Sequence, residues 1–329
     1  MGARYALVGL ACLVALAILV GPSLTSASIP APPPTFVAVT EGAHQFRSQV
    51  SVYSSTTGAM VRPLASFPDK TFTNNGLAYA PNGSAVYFTL IPQHPARRFS
   101  LLLMRLDVAS GRQSLIADGA QPALSNDGTQ LAYAAFPRGL AVRDLTTGQT
   151  RTIGLGQLGP AANLLNATIG WLEDGSDIAV VPSATPWDLV GRPPKLRWCG
   201  TTQARGVIVF VHVPAPPARL TADCVRVAGR GLNGRAILAG DSASRRTVLV
   251  AINTDDDRTV VERIAQTGAT TPVLTIPNSL PLSFDPSGTH LLYLVGHHPP
   301  TLTEATIAGG QLTAGPWRNP HLNLAALAW

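Results

Sequence analysis

The stretch Trp171-Leu172-Glu173-Asp174-Gly175 recurs along this chain, and its recurrence decides the fold. A large apolar residue, then a polar turn closing on glycine four positions later, also reads as Tyr79-Ala80-Pro81-Asn82-Gly83, Leu124-Ser125-Asn126-Asp127-Gly128 and Phe284-Asp285-Pro286-Ser287-Gly288. Behind the copies come short apolar runs: Ala85-Val86-Tyr87-Phe88, Leu131-Ala132-Tyr133-Ala134, Ile178-Ala179-Val180-Val181 and Leu291-Leu292-Tyr293-Leu294. Asn, Asp and Gly supply the backbone angles of a tight turn, so each copy reads as a strand, a turn and a second strand.

The turn glycines at 83, 128, 175 and 288 set the architecture. The first two intervals are 45 and 47 residues, one repeat each, and the third, 113, spans two. Repeats of roughly 40–50 residues with four short strands are the signature of propeller blades. Leu238-Ala239-Gly240-Asp241-Ser242 stands where the missing copy belongs, with serine in place of glycine. These residues resemble the repeat of the TolB-type β-propellers, an aromatic, then Ser-Pro-Asp-Gly, then a strand ending in a small residue and an aromatic. The likeness covers most of the chain beyond the N-terminus and rests on repetition, since no single copy matches in full. It implies a WD40-like, all-β propeller and an extracytoplasmic scaffold with envelope partners. The additional α/β domain of TolB has no room here.

Residues 36–39 and 49–53 open the first blade with no inner strand before them. At the other end, Leu322-Asn323-Leu324-Ala325-Ala326-Leu327-Ala328-Trp329 reads as a spare inner strand, with Trp329 at the aromatic position. The economical solution is a six-bladed ring over residues 36–329, with residues 322–329 completing the first blade beside 36–39 and no sheet edge left open.

Ahead of the ring, residues 6–20 are uninterrupted apolar sequence behind Arg4, and Thr25-Ser26-Ala27 offers small residues for cleavage. That run is shorter than the roughly 20 residues of a membrane span and suits a signal peptide. Residues 1–27 are therefore read as a signal peptide or, if uncleaved, an N-terminal membrane anchor, with Cys12 inside the apolar run. Residues 28–35 are a proline-rich linker, stiff because proline fixes φ. Either leader makes the rest extracytoplasmic, secreted or membrane-anchored.

The composition agrees, with 30 glycines and 28 prolines and no sustained helical period beyond the leader. The formal charge of +6 comes from scattered arginines without an aromatic–basic motif, which excludes nucleic acid as the expected partner. A monomer is expected, with membrane contact only through an uncleaved leader.

Enzymatic constellations are sparse. Gly154-Leu155-Gly156-Gln157-Leu158-Gly159 and Gly229-Arg230-Gly231-Leu232-Asn233-Gly234 match the dinucleotide-binding fingerprint literally. Neither opens a helix, which the pyrophosphate requires, so both read as linkers between blades. Gly240-Asp241-Ser242-Ala243-Ser244 lacks the last glycine of a nucleophile elbow. Asp255-Asp256-Asp257 lacks the interleaved spacing of a calcium loop, and His297-His298 is a poor chelate because neighbours in sequence point apart. No cofactor or metal is expected.

Cys199 and Cys224 are the two cysteines beyond the leader, and export favours a disulfide between them. Closing a loop of about 25 residues would contribute roughly 3 kcal/mol. Cys199 lies in the longest loop, residues 185–206, with Trp187, Arg192, Lys195, Arg197 and Trp198. The corresponding loop of the second blade holds His94, Arg97 and Arg98, and connections between second and third strands share one face of a propeller. Arginine beside exposed tryptophan suits partner binding, so Arg97, Arg98, Trp187, Arg192, Arg197 and Trp198 are the candidate site, facing a protein or an anionic cell-envelope component. The rival is a propeller hydrolase or lyase, whose site would need acids or histidines converging at the channel mouth. The inner strands, such as Leu77-Ala78-Tyr79 and Leu238-Ala239, carry none of these.

Overall fold

The computed structural model describes residues 33–41, 47–68, 72–91, 101–135, 139–154, 167–181, 206–227, 236–241, 244–254, 256–296, 301–307 and 324–329. Its elements are strands: β1 (Thr35–Glu41), β2 (Arg47–Ser54), β3 (Met60–Pro68), β4 (Phe72–Tyr79), β5 (Ala85–Leu90), β6 (Leu102–Asp107), β7 (Gln113–Leu124), β8 (Gln130–Ala135), β9 (Gly139–Asp144) and β10 (Thr150–Gly154). They continue as β11 (Thr168–Trp171), β12 (Asp177–Val181), β13 (Val207–His212), β14 (Thr221–Arg226), β15 (Ala236–Asp241), β16 (Ser244–Asn253), β17 (Thr259–Ala265), β18 (Thr270–Ile276), β19 (Ser279–Phe284), β20 (His290–Val295), β21 (Thr301–Thr306) and β22 (Leu324–Ala328).

Every group is an antiparallel meander. The orders are β22-β1-β2-β3, β11-β12-β13-β14, β15-β16-β17-β18 and β19-β20-β21, with a longer run from β4 to β10. That run is two blades sharing one strand. Residues 113–118 of β7 pair with β6, and residues 119–124 pair with β8. Gln121, at φ 58°, marks the bend between them. The first strands, β22, β4, the second half of β7, β11, β15 and β19, touch in that order, and β19 returns to β22. This cyclic arrangement of meanders is a β-propeller.

The alternating sequence explains the ring. In a strand successive side chains point to opposite faces. Phe36 and Ala38 of β1 join a core with Leu282, Leu292 and Trp329, while Val37 and Val39 join another with Val86 and Phe88. Ile178 and Val180 of β12 pack with Ala132 and Leu140, whereas Ala179 and Val181 pack with Val248 and Val250. Leu249 and Ala251 face Leu291 and Tyr293, and Leu131 and Tyr133 face Tyr87 and Leu103. Each meander is thus apolar on both faces and shares a core with each neighbour.

Two turn chemistries hold the meanders. After the first strand, the amide of Gly83, Gly128, Gly175 or Gly288 donates to the carbonyl three residues back, and Asn82, Asp127 or Asp174 accepts the amide two residues on. After the third strand, Asp107 and Asp144 accept the amides of Ser110 and Thr147. These amide bonds are the main reason both carboxyls sit below the usual aspartate range.

The strand expected from the C-terminal residues is found at Leu324–Ala328, paired antiparallel with β1 through Val37↔Ala328, Ala38↔Leu327 and Val39↔Ala326. Trp329 locks the joint. Its indole Nε1 donates to Ser55 Oγ at 3.1 Å, its amide donates to Ser283 Oγ at 3.4 Å, and His290 stands edge-on to its ring at 6.0 Å. Trp329→Ala empties a buried site at this closure and removes the Ser55 bond. A loss of about 3–5 kcal/mol is expected by urea unfolding; a loss under about 1 kcal/mol would show that the joint is held elsewhere.

Candidate functional site

Among the described residues, the inner strands β22, β4, β7, β11, β15 and β19 leave a small space between them. A cavity of about 150 Å³ is lined by Tyr79, Ala123, Trp171, Ala239, Phe284 and Ala328, one from each inner strand, with Ser125, Asn126 and Asp285 among the polar neighbours. The large residues of the repeated motif stand in its wall and extend away from it into the cores between blades. Trp171 is buried in the core between the third and fourth blades, where its Nε1 donates to Ala123 O at 2.9 Å. Tyr79, Phe284 and Trp329 are buried in three other cores between blades. The aromatic of the motif is therefore a wedge between blades, and the turn behind it reaches the axis.

Those turns bring acids to one mouth. Asn126 donates from Nδ2 to Glu173 Oε2 at 2.7 Å and to Glu173 O at 3.3 Å, joining the third blade to the fourth. Burial pushes the Glu173 carboxyl above its ordinary range; the charge of Asp285 adds to this, as do Asp174 and Asp241, while the Asn126 bond opposes it. Asp285 is buried, and its carboxylate accepts from Ser287, Thr289 and the His290 amide. Asp241 is 1% exposed, with Oδ2 accepting from Thr247 Oγ1 at 2.7 Å and Arg263 Nε at 2.6 Å.

Close backbone contact explains why this rim stays narrow. An added Cβ on Gly240 would stand 2.3 Å from Glu173 N, and one on Gly170 would stand 2.6 Å from Leu238 Cβ. Glycine at both positions lets β11 and β15 approach as backbone against backbone.

Chemically this side of the mouth is an acidic cluster, Asp285 in the cavity wall with Glu173 and Asp241 beside it, in which the Glu173 carboxyl has raised proton affinity. The cavity is below the roughly 300–1,000 Å³ of ordinary small-molecule pockets. Among the described residues, no three His, Cys, Asp or Glu side chains are grouped to hold a metal. Asp256 is held to about 2 by Arg258 first and Thr254 second, so the described part of the Asp255-Asp256-Asp257 run is engaged by its own turn.

The candidate partner-binding residues Arg97, Arg98, Trp187, Arg192, Arg197 and Trp198 lie outside the described residues, as do Cys199, His94, Lys195 and His297-His298. Both glycine-rich fingerprints also fall outside, apart from Gly154 at the end of β10. Cys224 is exposed on β14 and is disulfide-bonded. Sequence reading passed over Glu173, Asp241 and Asp285 because it examined the strands for convergent acids, and the acids sit at strand ends and in turns. A usable signal was present: the third motif position is proline in two copies, Pro81 and Pro286, but Asn126 and Glu173 in the copies that meet at the mouth.

No family model matches the sequence, and no curated protein matches it. Solved propeller structures are similar at low identity. The chain is 15% identical to a Bacteroides uniformis protein described as a 6-phosphogluconolactonase, over 86% of this chain and 81% of that one, with a TM-score of 0.48. It is 12% identical to the Cps50 (Swd1) β-propeller domain of Myceliophteria thermophila, over 88% and 87%, at 0.45. It is 14% identical to a prolyl endopeptidase, over 88% of this chain and 50% of that one, at 0.46. Likeness at this level transfers no activity. The fold assignment rests on the strand order and the cores between blades.

Gly240→Ala tests the narrow rim. Neither its own strand nor the facing peptide can yield without moving a blade, so a loss of about 1–3 kcal/mol is expected by denaturant unfolding. Unchanged stability would mean that β11 and β15 do not press together as described.

Proposed function

We propose that the chain is a six-bladed propeller of the TolB type, exported and non-enzymatic, that binds a protein or anionic envelope component through its loop-rich face. One observation carries this reading. The buried carboxylates at the axial mouth are engaged by the ring itself, Asp285 by its own turn and Asp241 by Thr247 and Arg263. The axis then serves as a structural hub, and recognition falls to the connections between second and third strands. Two of these, between β5 and β6 and between β12 and β13, contain Arg97, Arg98, Trp187, Arg192, Arg197 and Trp198. Fixed positive charge beside large aromatic area suits an acidic partner, with affinity falling as salt rises.

The test is capture from envelope extract by the wild type and by a variant with Trp187, Arg192, Arg197 and Trp198 changed to alanine, at two salt concentrations. Loss of specific capture by the folded variant, and weaker wild-type capture at high salt, are expected. Full capture by that variant, with loss on changing inner-strand residues, would move the site to the channel.

A hydrolase or lyase acting at the channel mouth is the second reading, favoured by Glu173. A carboxyl of raised proton affinity beside a cavity meets the first condition for a general acid.

We also propose that the disulfide partner of Cys224 is Cys199, which would tether the long loop of the fourth blade to β14. Non-reducing peptide mapping is expected to recover the Cys199–Cys224 pair. Recovery of Cys199 as a free thiol from the native protein would rule the pairing out.

A further inference from the structure

The connection between the second and third strands of the fifth blade reads Asn253-Thr254-Asp255-Asp256-Asp257-Arg258-Thr259, and it divides into two alternating sets. Thr254, Asp256 and Arg258 engage one another: the Thr254 hydroxyl donates to the Asp256 carboxylate, and Arg258 pairs with the same carboxylate. The other set is Asn253, Asp257 and Thr259, together with Asp255, which lies outside the described residues. All four carry a side-chain oxygen. Three adjacent aspartates are not a calcium loop, but oxygens at every second position are the spacing such a loop uses.

The two ends of this set hold buried oxygens. Asn253 and Thr259 are directly opposite each other on β16 and β17. By alternation they stand on the side of Leu249, Ala251 and Val261, at the edge of the core between the fifth and sixth blades. Thr259 is 0% exposed, and neither its Oγ1 nor the buried Asn253 Oδ1 meets a hydrogen-bond partner in the protein. The nearby Ser279 hydroxyl is committed, accepting from Thr259 N at 3.3 Å and donating to Ile276 O at 2.8 Å. Ser279 N in turn donates to Asp257 O at 2.9 Å, which fixes the start of the sixth blade to the same loop. A buried oxygen without a partner is costly, and the side-chain oxygen of asparagine can only accept. Directly opposed residues hold their Cβ atoms about 4.5–5.5 Å apart, so one cation with oxygen ligands at roughly 2.3–2.6 Å can span both.

We propose that this loop is a calcium site, with Asn253 Oδ1 and Thr259 Oγ1 as ligands in the negative field of the loop aspartates. Three aspartates against one arginine leave these seven residues negative, and the arginine is committed to Asp256. The donors are hard oxygens, which suit calcium rather than a metal that seeks thiolate or imidazole. A water molecule would satisfy the two buried oxygens but leave the charge of the loop unanswered. The ion would tie the end of the β16–β17 hairpin to the start of β19, and so the fifth blade to the sixth. The site does not depend on which face binds a partner.

The test is calcium titration of the metal-free full chain, by calorimetry and by thermal unfolding, in the wild type, Thr259→Val and Asn253→Asp. Saturable wild-type binding with a Kd on the order of 10⁻⁴–10⁻³ M, and a Tm that rises with calcium, are expected. Valine keeps the shape of threonine without the hydroxyl. Thr259→Val is therefore expected to keep or raise the calcium-free Tm and to bind calcium at least about tenfold more weakly. Asn253→Asp replaces a neutral ligand by a charged one, and tighter binding is expected. No saturable binding by the wild type up to about 10 mM calcium overturns the proposal, as does binding that Thr259→Val leaves unchanged. A water on Asn253 Oδ1 and Thr259 Oγ1 in crystals grown with calcium also overturns it. If Thr259→Val does not fold, Asn253→Asp decides, and unchanged affinity in that variant rules the site out.

Discussion

Each second strand of this protein is apolar on both sides, and the rest of the structure follows from that. Phe36 and Ala38 commit to one core while Val37 and Val39 commit to the next, and the same division holds at Ile178 to Val181 and Val248 to Ile252. A sheet with two dry faces cannot end a stack, because its outer face would remain in water. Setting such sheets around an axis until the last meets the first gives every face a partner. β22 completes the arrangement by supplying the first blade with the strand it lacks.

The site is a by-product of that closure. Bulky motif residues such as Tyr79, Trp171 and Phe284 are drawn into the cores between blades and reach the axis only at its wall, where turn backbone and polar side chains such as Ser125, Asn126 and Asp285 join them. Acids from separate repeats are brought near one another there, Asp285 in the cavity wall and Glu173 and Asp241 beside it. Asp241 is paired and Asp285 capped locally, and Glu173, bridged to Asn126, is raised in proton affinity first by its burial and then by the neighbouring acids. Fold and electrostatics are linked here by the close approach of Gly240 to Glu173.

The repeat was legible because its signal is local. The turn glycines at 83, 128, 175 and 288 all take positive φ, and side-chain alternation has a period of two wherever a strand is buried. The C-terminal strand was legible by counting, since one blade lacked a strand and one strand lacked a blade. Continuity of β7 through two blades was not, because Gly119-Ala120-Gln121-Pro122 reads as a break, whereas the chain passes through it as a bend. The acidic mouth was hidden for a different reason. Glu173, Asp241 and Asp285 are far apart in sequence, and each alone is an ordinary turn residue; only the ring makes them neighbours.

The pairing of Val37 with Ala328 also has a kinetic meaning. Two strands separated by about 290 residues must meet before the first blade has its inner strand, and contacts so distant in sequence form late and slowly. Until then β1 presents an unpaired edge, and the side chains of Phe36 and Ala38 lack the sixth-blade residues that cover them. During synthesis the earliest part of the ring is thus the last to become complete. The interval before closure is when the chain is most open to strand addition from other molecules, and a protein that holds extended segments apart would act at that moment.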